Sequence, residues 1–271
     1  MDILRLFAAS NVRPDGVDLI AVVGIDGSGK STLSEALACA LSQNGVTGLV
    51  SDDLKVFENR IPREAPPFLA EKVRERIGRY SKTSVSLGRY KIPKIAELLL
   101  RNHLVREIQK RYRPDGVVQD GSPLLNLVAW AGLYQPGAVD APTCLKLVLV
   151  LSGQATRVPA TDPVFGVFPE LAILRRLRLT QLRLPRAVVL LDLDGAVAVE
   201  RIGKRGGNRQ IHETEPKLDA LRDGYRLVCG VVRDDLKIPT LILDGRLERA
   251  CQLDASLDFV SRICRKEGVN E

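Results

Sequence analysis

The chain has 271 residues, of which 45% are hydrophobic and 27% are charged, with a formal net charge of +7. This composition is typical of a folded soluble protein and argues against bulk disorder. No apolar run reaches the roughly eighteen residues that would cross a bilayer, and residues 1–10 make a poor secretory signal. We therefore expect a cytoplasmic protein without membrane contact, in which the five widely spaced cysteines stay reduced.

Positive charge is concentrated in one segment. Residues 72–113 contain thirteen basic and three acidic residues, a net of +10, which leaves about −3 for the rest of the chain. Tyr80, Tyr90 and Tyr112 lie within this block. The block is either a solvated surface with tyrosines that pack a helix, or a surface for an anionic partner such as a nucleic acid.

Five short apolar runs predict five β-strands, at residues 19–24, 46–51, 116–120, 187–192 and 239–244. They are continuously apolar, which is typical of a parallel sheet with both faces covered. Helical patterns occur at residues 33–41, 95–112, 218–232 and 253–264. This alternation predicts a single three-layer α/β domain over residues 1–271.

Two segments depart from the alternation of strands and helices. Residues 55–93 contain Pro62, Pro66 and Pro67 near their start and a polar stretch at 81–86. Residues 136–186 contain an apolar piece at 145–151 and a basic helical pattern at 170–184. We interpret both segments as insertions at the substrate end of the sheet.

The most informative motif follows the first predicted strand. Residues 24–32 read G-I-D-G-S-G-K-S-T, which matches G-x-x-x-x-G-K-[ST] between a strand and a helix. Backbone N–H groups of such a loop surround phosphates, Lys30 reaches the β- and γ-phosphates, and Ser31 ligates Mg²⁺. We expect Asp26 to serve mainly the hydrogen bonding of the loop itself. The predicted nucleotide-binding residues are Gly24, Asp26, Gly27, Ser28, Gly29, Lys30, Ser31 and Thr32.

The surrounding sequence narrows the class of P-loop protein. There is no base-reading N-K-x-D of GTPases, and the third predicted strand ends in V-V-Q-D-G without the D-E of ATPase motors. A small-molecule kinase fits better, because it needs a P-loop, an acidic group near Mg²⁺, an acceptor pocket and lid arginines. Asp120 is the candidate acidic group for the metal.

A candidate lid follows the fourth predicted strand. Arg201 and Arg205 share a helical face, and a glycine-rich loop with Arg209 comes next. Cations that close over the phosphates stabilise the transferring phosphoryl group and exclude water. We predict a lid at residues 201–215; the alternative is a basic helix end that interacts favourably with its own dipole.

The P-loop, the V-V-Q-D strand and the L-D-L-D-G-A-V-A-V-E-R-I-x-x-R-G stretch resemble the thymidylate kinase family of nucleoside and nucleotide kinases. The resemblance implies a P-loop NTPase fold with a five-stranded parallel sheet of order 2-3-1-4-5, ATP·Mg²⁺ as phosphoryl donor, and a homodimer. Two motifs depart from the family: Asp120-Gly121 replaces Asp-Arg, and Ser51-Asp52-Asp53 replaces Glu-Pro-Gly. The acceptor therefore stays open.

Asp52 and Asp53 follow the second predicted strand, at the sheet edge that faces the P-loop. A carboxylate there would accept the proton of an acceptor hydroxyl, although a turn or cap role also fits. We predict an ATP-dependent kinase that phosphorylates a nucleoside, a nucleotide or a related small molecule. The alternatives are a polynucleotide 5′-hydroxyl kinase that uses residues 72–113, and an ATP-binding regulatory module without phosphoryl transfer.

One further motif has two interpretations. Residues 190–195 read L-L-D-L-D-G and resemble the opening of haloacid-dehalogenase-type phosphatases, whose first Asp is a covalent nucleophile. Ala196 stands where those enzymes have Ser or Thr. We favour a strand that ends at Asp192 and a helix capped at Asp194.

Overall fold

The computed structural model describes residues 18–51, 54–63, 68–82, 86–206 and 210–265. Seven strands in this part of the chain form one sheet of order β4-β3-β2-β5-β1-β6-β7. The strands are β1 (Asp18–Gly24), β2 (Val46–Val50), β3 (Leu54–Glu58), β4 (Ile61–Arg63), β5 (Gly116–Asp120), β6 (Ala187–Asp192) and β7 (Thr240–Asp244).

The five predicted strands are present and mutually parallel, and they follow the predicted order. The predicted number of strands was wrong, because β3 and β4 extend the sheet as antiparallel strands beyond β2. Val50 pairs with Leu54, so the chain reverses directly after β2. A second reversal at Asn59 and Arg60 has φ values of 50° and 67°, as in the tight turns that suit hairpins. The sheet is therefore mixed rather than purely parallel.

Helices cover both faces of the sheet. They are α1 (Lys30–Leu41), α2 (Leu69–Lys82), α3 (Leu87–Tyr112), α4 (Pro123–Tyr134), α5 (Ala141–Leu151), α6 (Val164–Val167), α7 (Pro169–Arg176), α8 (Gly195–Arg205), α9 (Glu215–Asp234) and α10 (Arg249–Arg265). The helices α1 and α10 pack on one face of the sheet, and α2, α3, α4, α5 and α9 cover the other.

The two irregular segments have defined secondary structure. Residues 55–93 contribute most of the β3–β4 hairpin, α2 and the start of α3, and residues 136–186 contribute α5, α6 and α7. The helical pattern predicted at 170–184 was wrong beyond Arg176, where α7 ends. Arg178 has a φ of 57°, and Leu182 donates its backbone N–H to the carbonyl of Leu151. The backbone after Arg176 therefore leaves the helix, and Leu182 hydrogen-bonds to the end of α5 instead.

Among the helices of the described residues, none has the length and apolar character that would be needed to span a bilayer.

Candidate functional site

The loop between β1 and α1 is shaped by three glycines. Gly24, Gly27 and Gly29 have φ values of 152°, 82° and 95°, which side chains disfavour. A Cβ at Gly24 would lie 2.6 Å from the Leu191 carbonyl oxygen, and one at Gly27 would lie 2.8 Å from that of Ala198. The first turn of α1 contains no acidic side chain. Its N–H groups therefore form a helix N-terminus that is suited to bind an anion.

Lys30, Asp26 and His212 form a chain of polar contacts beside this loop. The Nζ of Lys30 lies 2.7 Å from Oδ1 of Asp26, whose Oδ2 lies 2.8 Å from Nε2 of His212. Burial raises the pKa of Asp26, but Lys30 and the hydrogen bond from His212 outweigh it and hold the pKa well below its ordinary value. Because Asp26 is ionised, the Nε2–H of His212 is the donor.

Electrostatics also keep the lysine charged. Burial lowers the pKa of Lys30, whereas the negative charges of Asp26 and Asp120 raise it, and the net effect is a pKa above its ordinary value. Lys30 is thus a fixed cation at the floor of the site.

A cleft of about 1430 Å³ opens above the loop, at the carboxyl edge of the parallel strands. Residues 26–33 form its floor, and residues between Gly245 and Leu253, where β7 leads into α10, line one end. Side chains from α2, α3, α4 and α9 line the opposite end, which we call the acceptor end. The cleft therefore has room for two bound molecules, one on each side of Lys30.

One face of α3 supplies a polar stripe to the acceptor end. It consists of Tyr90, Lys94, Glu97 and Arg101, which are spaced four, three and four residues apart. Nζ of Lys94 lies 3.1 Å from Oε2 of Glu97, and Arg101 donates from Nη1 to the Asp120 carbonyl oxygen at 2.8 Å. Glu97 and Arg101 are both buried. The stripe thus offers buried groups of both charge signs.

An aromatic wall, formed by Tyr90 and Trp130, stands beside that stripe. The rings of Tyr90 and Trp130 are stacked, with centroids 5.4 Å apart and planes 20° apart. His212 meets Trp130 edge-on, with centroids 4.7 Å apart. Asn126 lies nearby and accepts a hydrogen bond of 3.0 Å from the Tyr225 hydroxyl. The wall is a flat apolar surface with hydrogen-bonding groups around it.

Asp120 ends β5 and lines the cleft. It is 6% exposed, and its Oδ1 is buried without a hydrogen-bond partner among the described residues. The next residue, Gly121, has a φ of 80°, and a Cβ there would lie 2.9 Å from Nδ2 of Asn126 and 3.5 Å from Nη1 of Arg101. A guanidinium from α3 therefore occupies the space beside Gly121, where the resembled family has an arginine.

The lid candidates approach the loop from α8. Arg201 donates from Nη1 to the carbonyl oxygens of Gly245, at 2.9 Å, and Gly27, at 3.5 Å. Nη2 of Arg205 lies 3.2 Å from Oε1 of the buried Glu213. Both arginines line the cleft. Arg209, the third lid candidate, lies outside the described residues.

The comparisons with known proteins concern the fold. No family model matches the chain, and no curated protein matches it either. Among solved structures it is similar to deoxyadenosine kinase from M. mycoides with the products dCMP and a flexible dCDP bound: the TM-score is 0.54, the identity 16%, and the match covers 90% of this chain and 99% of that one. The chain therefore has an α/β fold similar to that of this kinase.

Two further structures of that enzyme match with the same coverage of 90% and 99% and an identity of 15%. The structure with dCTP has a TM-score of 0.47, and the structure with dATP has a TM-score of 0.48. The thymidylate kinase resemblance remains a matter of the sequence motifs.

The remaining predicted residues have different outcomes. Asp52 and Asp53 lie outside the described residues, between Val50 and Leu54, which pair in adjacent strands. Asp192, the residue of the phosphatase-like motif, is held by Arg222 and Arg226 through contacts of 2.6 Å each. These two ion pairs favour a structural role for the Asp192 carboxylate over that of a nucleophile.

Asp194 occupies the N-cap position of α8, as predicted, but its side chain does not make the expected capping hydrogen bond. Its carboxylate is ion-paired with Arg222 and Arg246. Asp219 of α9 accepts the N–H of Gly195 instead, at 2.8 Å. The start of α8 is thus fixed by a neighbouring helix.

Sequence reasoning missed most of the acceptor end. The basic residues of 72–113 were treated as one block, yet Arg74, Lys94 and Arg101 line the cleft whereas Lys72 and Arg76 are exposed. The four-three-four spacing of the polar stripe was the available signal. His212 and Trp130 carried no such signal, because only the tertiary fold brings them together.

Proposed function

We propose that this protein is an ATP-dependent kinase that transfers the γ-phosphoryl group of ATP to a nucleoside or nucleotide. The observation that supports it best is a single cleft with a phosphate loop on its floor and a separate acceptor end. Phosphoryl transfer requires the acceptor oxygen to lie in line with the γ-phosphorus and the leaving oxygen, so donor and acceptor must occupy one cleft.

The donor half uses the phosphate loop and the lid. Lys30 and the N–H groups at the start of α1 bind phosphate oxygens. Arg201 and Arg205 also line the cleft, and Arg201 contacts the loop itself, so both add positive charge near the place where charge develops on the transferring group. The predicted Arg209 belongs to the same proposal.

The residues around the loop fit a magnesium ion. Asp120 Oδ1 is a buried carboxylate oxygen without a hydrogen-bond partner in the described part of the chain, and the side chain of Ser31 is exposed to the cleft. Oxygen ligands of this kind are those that Mg²⁺ prefers. When bound, the metal neutralises charge on the phosphates.

The acceptor end fits a base and its sugar. The aromatic wall offers ring surface for contact with a planar base, and Glu97, Lys94 and Asn126 offer acceptors and donors for its edge. Arg74 and Arg101 place positive charge in the same region. The site therefore suits a nucleotide acceptor as well as a nucleoside.

In the proposed reaction, an oxygen of the acceptor forms a bond to the γ-phosphorus while the bond from that phosphorus to the β–γ bridging oxygen breaks. ADP leaves with the bond electrons. For a hydroxyl acceptor, the proton passes to a carboxylate, for which we propose Asp52 or Asp53. The variants Asp52→Asn and Asp53→Asn, made separately, identify the base as the one whose loss lowers kcat more. Glu97→Gln is the comparison variant.

The test is ADP release from Mg·ATP with a panel of nucleosides, nucleoside monophosphates and short 5′-hydroxyl oligonucleotides. We expect one nucleoside or nucleotide class to raise ADP release and to gain one phosphate. Lys30→Ala should abolish turnover and leave the fold intact. Full activity in that variant, or no stimulation by any acceptor, contradicts the proposal. Stimulation by oligonucleotides alone would favour the polynucleotide kinase, and ATP binding without turnover would favour the regulatory module.

A further inference from the structure

We propose that His212 is a positioning residue that couples the phosphate loop to the acceptor end of the cleft. One side of its ring fixes Asp26 and, through Asp26, Lys30. The other side packs on the aromatic wall. This inference deepens the proposed function and names a residue that no sequence motif identified.

The contact with the loop is a hydrogen bond to a charged group. His212 donates from Nε2 to Oδ2 of Asp26 at 2.8 Å, and Oδ1 of the same carboxylate contacts Lys30 at 2.7 Å. A carboxylate held by two partners on its two oxygens has little rotational freedom. His212 therefore limits where Asp26 can hold the ammonium group of Lys30. His212 and Asp26 are 186 residues apart in the chain.

The contact with the acceptor end is through the ring. His212 lies edge-on to Trp130, with centroids 4.7 Å apart, and tilted against Tyr90 at 5.5 Å. It is 1% exposed, and its Nδ1 is buried without a hydrogen-bond partner among the described residues. The imidazole thus touches both the wall and the loop, and a shift of either one displaces it.

The position of His212 in the chain adds a third connection. Glu213, the next residue, is 1% exposed, contacts Arg205 of α8, and accepts the backbone N–H of Gln210 at 2.6 Å. Residues 210–214, which lead into α9, are therefore held by two buried side chains, those of His212 and Glu213. His212 is the one of the two that reaches the phosphate loop.

Two substitutions separate the hydrogen bond from the ring packing. His212→Gln keeps a donor near the place of Nε2 and loses the ring, whereas His212→Phe keeps a ring and loses the donor. Because a hydrogen bond to a charged group is lost, we expect His212→Phe to lower kcat about tenfold or more, with a smaller change in the KM of the acceptor. His212→Gln should retain at least about a third of kcat.

A double-substitution test decides whether His212 acts through Asp26. In an Asp26→Asn background, the further change His212→Phe should alter kcat by less than about twofold, because the contact is already weakened. A further tenfold loss would overturn the proposed route. A His212→Gln variant as impaired as His212→Phe would assign the residue to packing alone and overturn the proposal.

A second measurement needs no acceptor. Trp130 is the only tryptophan in the sequence, so intrinsic fluorescence reports on the aromatic wall. We expect titration with Mg·ATP to change Trp130 emission, and His212→Phe to reduce that change by about half or more while calorimetry gives a similar Kd. An unchanged amplitude in His212→Phe overturns the coupling and leaves the kinase proposal standing. Absence of any Mg·ATP binding overturns both.

Discussion

Gly224 lies where α9 crosses α4, and the two helices approach so closely that a side chain has no space. A Cβ at this position would lie 2.4 Å from the carbonyl oxygen of Ala129 and 3.1 Å from its carbonyl carbon. Both are backbone atoms, which cannot move aside as a flexible side chain can. We predict that Gly224→Ala destabilises the protein by forcing α4 away from α9.

The magnitude follows from two opposing effects. Alanine in a helix interior is about 1 kcal/mol more favourable than glycine. Overpacking typically costs about 1–3 kcal/mol, and a clash with backbone lies at the upper end. We expect a net loss of about 2 kcal/mol in the free energy of unfolding, which corresponds to a Tm lower by about 4–8 °C for a chain of this size.

Gly230 of the same helix is the matched control, because a Cβ there would meet no atom within 4 Å. Gly230→Ala should therefore gain up to about 1 kcal/mol from helix propensity alone. The assay is thermal and urea unfolding of both variants beside the unsubstituted protein. If Gly224→Ala were as stable as Gly230→Ala, the close crossing of α4 and α9 would be refuted.

The close crossing also has a functional side. Ala129 is adjacent to Trp130 of the aromatic wall, and Asn126 lies one turn earlier on the same helix. A displacement of α4 in Gly224→Ala should therefore raise the KM of the acceptor more than that of ATP, since the phosphate loop lies on another element.

Two further predictions concern the edge of the sheet around the cleft. Hydrogen bonds from Arg222 and Arg226, opposed by partial burial, lower the pKa of Asp192 to about 2. Because this folded-state pKa lies below the ordinary value of 3.8, the pair stabilises the fold above about pH 4 and loses that effect as the pH falls towards 2. Asp192→Asn should therefore cost about 2 kcal/mol at neutral pH and flatten the acid limb of a stability–pH profile, and an unchanged acid limb would contradict the pairing. Gly121→Ala places a Cβ 2.9 Å from Asn126 at a φ of 80°, so we expect a loss of about 1–2 kcal/mol in stability and a raised acceptor KM. A kinetically silent Gly121→Ala variant would argue against Arg101 and Asn126 as acceptor-side residues.

The parallel part of the sheet could be predicted because four of its five strands, β1, β2, β5 and β6, are buried on both faces. The fifth, β7, is a partly exposed strand at the edge of the sheet. Continuous apolar runs such as β1, β5 and β6 leave a strong signal in sequence, and their order followed from a family resemblance. The β3–β4 hairpin left a weaker signal in the sequence. All three residues of β4 are exposed, three of the five in β3 are only half-buried, and the turn at Asn59 and Arg60 contains no glycine. Tertiary pairing with β2 overrides the weak local preference.

The phosphate loop could be predicted for a different reason. Its function depends on backbone geometry, which fixes glycine at set intervals, so contiguous sequence carries the signal. The acceptor end depends on side chains from separate helices, such as Glu97 of α3, Trp130 of α4 and Tyr225 of α9. No local pattern encodes their proximity, and only the packed fold brings them to one surface.

The short strand β4 has a consequence for how this molecule meets its neighbours. It forms one outer edge of the sheet, with three residues that are all exposed, and Pro62 at its centre has no N–H to donate. Another chain that tried to add a strand here would find little backbone to pair with, and Arg63 adds charge beside it. The β3–β4 hairpin thus covers the edge that β2 would otherwise expose, and it disfavours aggregation by addition of a strand from another chain.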